Sequence, residues 1–171
     1  MDFLELAKAR YSVRKFTDRP VEQEKLDKII EAGRVAPTAK NLQPQRVYIM
    51  KSEDAMAKMN SLTPCIYGAP MALLFCYNEE EAWHNPQTAG YNSGEMDATI
   101  VATHMILEAW EQGIASCWVG VFDHDQAAEV FALPAEIKPV AIMPLGYAAE
   151  DAVPAPRHTE YRPVGDLFIE L

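Results

Sequence analysis

Two hydrophobic patterns alternate along the chain: segments whose apolar residues return every three to four positions, and short runs that are apolar throughout. Over "VEQEKLDKIIEAGRVA", Leu26, Ile29, Ile30 and Gly33 follow the i, i+3, i+4, i+7 spacing of one buried helical face. Pro37 donates no amide hydrogen and restricts its predecessor, so this helix stops by Ala36 and "PTAKNLQPQ" is loop. Phe3, Leu4, Leu6 and Ala7 predict a shorter helix over about residues 2–10, and "SEDAMAKMNSL" and "DHDQAAEVFAL" predict two more, the latter with Asp123 as N-cap. The longest helix runs from Glu95 to Gln112 and ends at Gly113. Its apolar residues, among them Ile100, Val101, Met105 and Trp110, lie on most sides, as in a central or interface helix.

Four runs read as strands by their β-branched and aromatic content: "RVYIMK", "MALLFCY", "IASCWVGVF" and "KPVAIMPLGY". Between the second of these and the long helix, residues 78–94 carry turn chemistry throughout and predict a surface loop. Strands interleaved with helices, without a repeat, predict a layered α/β or α+β architecture in a single domain over 1–171. After Tyr147 the pattern breaks. "AAEDAVPAPRHTEYRP" has too little apolar surface for a core of its own, yet Leu167, Phe168 and Ile169 near the end call for burial, as in a tail that packs on a neighbour.

Composition narrows the function classes. Apolar residues make up 49 % of the 171 positions and charged ones 23 %, the proportions of a folded globular protein. A formal charge of −10 disfavours nucleic acid and anionic membrane as partners. The N-terminal "MDFLELAKAR" lacks the uninterrupted apolar stretch of a leader or membrane span, so a cytoplasmic protein is expected. Cys65, Cys76 and Cys117 form no C-x-x-C pair, and His84, His104, His124 and His158 show no metal-ligand spacing, so neither disulfides nor a metal are expected.

Two stretches carry chemistry that a core does not need. Lys8, Arg10, Arg14 and Lys15 surround Ser12 in a chain that is acidic elsewhere. This is either a solvated basic turn or a set of donors for phosphate oxygens. In the loop after the second helix, Asn41 and Gln43 each offer a donor and an acceptor, suited to the edge of a heterocycle or merely to a polar connection.

Together these stretches resemble a family signature. "RYSVRKF" and "PTAKNLQP", followed in order by "GIASCWVGVFD", "LPAEIKPVAIMPLGYAAED" and "RHTEYRPVGDL", are similar to successive segments of the nitroreductase family; the region from about 52 to 95 is not covered. The resemblance implies an α+β fold with a central, mostly antiparallel sheet flanked by helices. It also implies an intertwined homodimer whose C-terminal arm, about 150–171, packs on the partner subunit. The implied cofactor is FMN, reduced by NADH or NADPH, and the implied function is ping-pong hydride transfer through it to a nitroaromatic, a quinone or a similar small acceptor.

By position, Arg10 and Ser12 would hold the FMN phosphate and Arg14 would lie near the pyrimidine ring. Pro37, Thr38, Ala39 and Asn41 would approach the flavin from the partner, braced by Gln43. Val119 and Gly120 would present backbone to the ring, and Arg157, or else Arg162, would add a phosphate contact. The chemistry resides in the flavin, so no catalytic acid or base is assigned. Two other readings stay open: a specialised flavin enzyme of the same fold (reductive dehalogenation or flavin fragmentation), and a non-catalytic flavin-binding protein. Lys40 stands where a small residue is usual in the family. Trp83, His84, Tyr91 and Asn92 are candidates for either a substrate pocket or a variable loop.

Overall fold

The strands β1 (Gln45–Met50), β2 (Met71–Asn78), β3 (Ala115–Ser116) and β4 (Ile137–Gly146) form one sheet in the order β1-β2-β4-β3 in the computed structural model, which describes residues 2–171. Every strand pair is antiparallel. Side chains of β2 alternate between two cores, as the period of two requires. Ala72, Leu74 and Cys76 face one core with Val13, Met59 and Ile142; Met71, Leu73 and Phe75 face the other with Leu26, Ile29 and Val101. The sheet is covered on both faces, so its central strand reads as a continuous apolar run.

Among the described residues, six α-helices, the last a single short turn, and two 3-10 turns (Ala39–Asn41 and Pro156–Thr159) complete the order: α1 (Phe3–Ala9), α2 (Gln23–Arg34), α3 (Glu53–Leu62), α4 (Gly94–Glu111), α5 (His124–Val130) and α6 (Val164–Leu167). Helix α1 starts in a capping box, in which the Asp2 side chain accepts the Glu5 N–H at 2.8 Å and the Glu5 carboxylate accepts the Asp2 N–H at 3.1 Å. The predicted face of α2 is buried at Leu26, Ile29 and Gly33. Gly33 permits the close approach of α4, for a Cβ there would stand 2.6 Å from the Met105 sulfur. Asp123 caps α5, accepting the Gln126 N–H at 2.9 Å. Cys76 and Cys117 are buried, and burial pushes the Cys76 thiol up to about 12.

The expected strand over "IASCWVGVF" is interrupted: only Ala115–Ser116 pairs regularly, and Val119 then makes a lone bridge to Ile142. The cause lies in the neighbouring strand. The Ile142 N–H donates to Val119, so the N of Pro144, two residues on, points toward the same edge and has no hydrogen to give. Cys117 and Trp118 therefore leave the ladder.

The tail is also unlike a core element within one chain. Leu167, Phe168 and Ile169 are 55 %, 74 % and 75 % exposed. Helix α4 is less uniformly enclosed than its composition predicts, since Met96 and Thr103 are exposed while Ala98, Val101 and Met105 are buried. Among the described residues no helix is long and apolar enough to cross a membrane.

Candidate functional site

After α1 the chain leaves the helix in an extended conformation at Arg10 and runs alongside β3. Ser12 forms a parallel bridge with Ser116, and the Val13 N–H donates to the Ser116 carbonyl at 2.9 Å. Alternation along this segment buries Val13 completely and leaves Arg10, Ser12 and Arg14 on the opposite side. These three residues line a cavity of about 230 Å³ with Tyr11, Ala155, Arg157 and His158.

The returning C-terminal segment closes the cavity. Tyr11 donates its hydroxyl to the Ala152 carbonyl at 3.2 Å and meets the His158 ring edge-on, with centroids 6.0 Å apart; Lys15 pairs with Asp151. Arg14 donates to the Ser12 carbonyl at 3.2 Å. Among the described residues, no carboxylate lines the cavity. Among the described residues, neither Arg10 nor Arg157 takes part in an ion pair. Arg157 lines this cavity and Arg162 does not, while of the expected basic cluster Lys8 and Lys15 stand outside it. Beneath the cavity, burial raises the Cys117 thiol above its usual range, against the opposing pull of Arg14 and a hydrogen bond with Ser12; it is a neutral packing group.

Val119 lies on the same edge of the sheet. Both its backbone groups are engaged by Ile142, at 2.9 and 3.0 Å. Its exposed neighbour Gly120 has open space around the position of a Cβ and no backbone acceptor for its N–H among the described residues. Of the expected pair, Gly120 is thus the one able to offer an N–H, flanked by the exposed apolar side chains of Trp118 and Val121.

The loop from Pro37 to Gln43 is built separately. Thr38 accepts the Asn41 N–H on its carbonyl at 2.9 Å and the Gln43 N–H on its hydroxyl at 3.1 Å, and the Gln43 amide donates to the Asn41 carbonyl at 3.0 Å. Lys40, Asn41 and Gln43 adopt positive φ of 51°, 57° and 53°, a strained arrangement that persists only where surrounding contacts fix it. One anchor is Asp97, 2 % exposed in the first turn of α4. Its Oδ1 accepts the Ala39 N–H at 2.9 Å, and its Oδ2 accepts the Ser93 hydroxyl at 2.6 Å. Sequence reasoning passed over Asp97, Tyr11 and His158; the signal for Asp97 was a carboxyl at i, i+4, i+8 spacing with Val101 and Met105 on a buried stripe.

The two groups of candidate residues stand at diagonal corners of the sheet. Ser12 is level with Ser116, Leu145 and Met71, whereas Pro44 pairs with Asn78 beyond the other end of β2, beside edge strand β1. About four inter-strand spacings of roughly 4.8 Å and about seven residues of roughly 3.4 Å rise put them on the order of 30 Å apart. A single flavin nucleotide does not reach from one to the other within one chain.

Several known proteins share this fold or sequence. A Clostridium difficile nitroreductase family protein of known structure superposes with a TM-score of 0.91 at 38 % identity, over 98 % of this chain and 97 % of the other. A Desulfovibrio desulfuricans protein solved in complex with FMN superposes with a TM-score of 0.79 at 25 % identity, over 98 % of this chain and 95 % of its own. The FMN reductase (NAD(P)H) of Bacillus subtilis is 29 % identical over 163 residues, 85 % of this chain and 66 % of its own length. The model of the Nitroreductase family itself matches residues 7–64 and 60–147, and with most of its length accounted for in this way the chain belongs to the nitroreductase family.

Proposed function

We propose that the protein is an FMN-dependent NAD(P)H oxidoreductase acting as a homodimer, with each flavin held between the two subunits. The observation that carries this reading is the cavity lined by Arg10, Ser12, Arg14 and Arg157 without a carboxylate, in a chain of net charge −10. Guanidinium forks and a hydroxyl suit a phosphate dianion, and a negative protein retains such a cluster where an anion neutralises it. FMN, when bound, would accept a hydride from NADH or NADPH and pass the electrons to a nitroaromatic or quinone in a second, separate step.

The chain's residues supply position and charge. Arg10, Ser12 and Arg157 bind the phosphate; Arg14 places a cation beside the ring system, where it favours negative charge; Gly120 offers its N–H. The Pro37–Gln43 loop comes from the partner, because the diagonal separation within one chain leaves it too far from its own cavity. The exposed Val164, Leu167, Phe168 and Ile169 support an arm that buries apolar surface on the partner, as in obligate dimers, whose interfaces commonly exceed ~2,000 Å².

The test is spectroscopic. Purified protein loaded with FMN should bleach with NADH or NADPH under anaerobic conditions and recover its absorbance on addition of a nitroaromatic or quinone. Protein that takes up no FMN, or flavin that neither pyridine nucleotide bleaches, overturns the reading.

A further inference from the structure

Six of the eight lysines have a side-chain partner: Lys15, Lys28, Lys58 and Lys138 pair with carboxylates, Lys25 bonds Tyr147 and Lys51 bonds Gln23. A seventh, Lys8, lies in the last turn of α1, where a cation complements the helix dipole. Among the described residues, Lys40 has neither explanation. It is exposed, and residues 35–45 contain no Asp or Glu. The buried Asp97 nearby has both oxygens committed to Ala39 and Ser93.

Its backbone sits at φ 51°, ψ 19°, a conformation that Gly or Asn occupies with less strain than Lys. Hydrogen bonds accepted by Asp97 from Ala39 and by Thr38 from Gln43, and donated by the Gln43 amide to Asn41, fix the loop on both sides of it. Lys40 is therefore an unneutralised cation presented from a braced support. Arg10 and Arg157, likewise outside any ion pair, line the cavity that suits a phosphate.

We propose that Lys40 is a specificity-determining residue that contacts the anionic group, carboxylate or phosphate, of a substrate lying on the flavin of the partner subunit. The proposal rests on the FMN oxidoreductase reading and on that loop reaching the partner's flavin. It names the substrate class the site prefers: anionic donors or acceptors over neutral ones of like shape and reactivity. The phosphate source is the 2′-phosphate that distinguishes NADPH from NADH, and the carboxylate source is an acidic acceptor.

The experiment uses the FMN-loaded full chain as wild type, Lys40→Gln, Lys40→Arg and Lys40→Gly. One arm compares NADPH with NADH at a fixed acceptor; the other compares 4-nitrobenzoate with 4-nitrobenzamide at a fixed donor. In at least one arm Lys40→Gln should raise KM for the more anionic member about fivefold and shift its counterpart less than about twofold, with kcat unchanged. Lys40→Arg should restore the preference, and added salt should erode it in the wild type. Lys40→Gly, which relieves the backbone and removes the charge, should behave as Lys40→Gln and so separate charge from strain. The arm that responds identifies the source. Equal KM changes for both members of each pair, or no change in either, overturn the proposal while leaving the oxidoreductase reading intact. Wild-type flavin that neither nucleotide bleaches overturns both.

Discussion

Gly94 stands so close to Tyr77 that a Cβ on it would lie 2.0 Å from Cδ2 of the ring. The contact seats the first turn of α4, which carries Asp97, against the end of β2, so the anchor of the Pro37–Gln43 loop depends on it. Gly94→Ala should destabilise the fold by about 1–3 kcal/mol, since neither helix backbone nor ring can yield without a shift. Tyr77→Leu in the same chain should recover part of that loss, giving a coupling between the two sites in a denaturant-unfolding cycle. Additive effects would mean that the ring moves aside freely.

Around Tyr147 the charges are arranged for stability. The Arg19 guanidinium lies 3.9 Å from the ring centroid, and the hydroxyl donates to Glu22 at 2.5 Å. This bond, with the Glu22 backbone N–H and Arg19 beside it, holds the Glu22 carboxyl down to about 2 from an ordinary 4.5. A carboxyl depressed by folding stabilises the native state above its unfolded value, and the benefit fades as pH falls from about 4.5 toward about 2. Tyr147→Phe should therefore lower the urea midpoint at about pH 6, and the gap from wild type should narrow at about pH 3. A gap of equal size at both values would show that the hydroxyl acts independently of the Glu22 charge.

Much of this fold was legible because its causes are local. The four-residue spacing of α2, the apolar run of β2 and the proline that ends a helix each specify their element within a dozen residues. The same holds for Arg10, Ser12 and Arg14, whose shared side follows from alternation in an extended segment. What was misread has causes at long sequence separation. The break after β3 depends on the missing donor of Pro144, the loop's anchor is 58 residues from Ala39, and His158 joins the cavity only when the tail folds back over Tyr11. A periodicity confined to one segment does not encode which distant residue will face it.

Arg10→Ala tests the phosphate cavity directly. Removing one charged donor from a phosphate should weaken FMN binding by about 10–100-fold, as for other hydrogen bonds to charged groups, while thermal unfolding in the absence of FMN stays near that of wild type. Riboflavin, which lacks the phosphate, supplies the control: its affinity should be the same for both proteins. An equal loss for FMN and riboflavin would place Arg10 against the ring or in the fold rather than on the phosphate.

Whether the two halves of the site come from different subunits can be decided by mixing two defective proteins. Arg10→Ala damages the cavity at one corner of the sheet, and Asn41→Ala damages the loop at the other. Suppose that each flavin meets Arg10 of one subunit and Asn41 of the other. A dimer formed from one chain of each kind then has one site with both substitutions and one with neither. Random reassociation of equal amounts makes about half the dimers mixed, so about a quarter of all sites should regain wild-type FMN affinity and turnover. A site contained within one chain could gain nothing, because every chain in the mixture carries a defect. Recovery toward that quarter after the subunits are exchanged, and none before, is the expected outcome; no recovery despite verified mixed dimers would place both halves in the same chain.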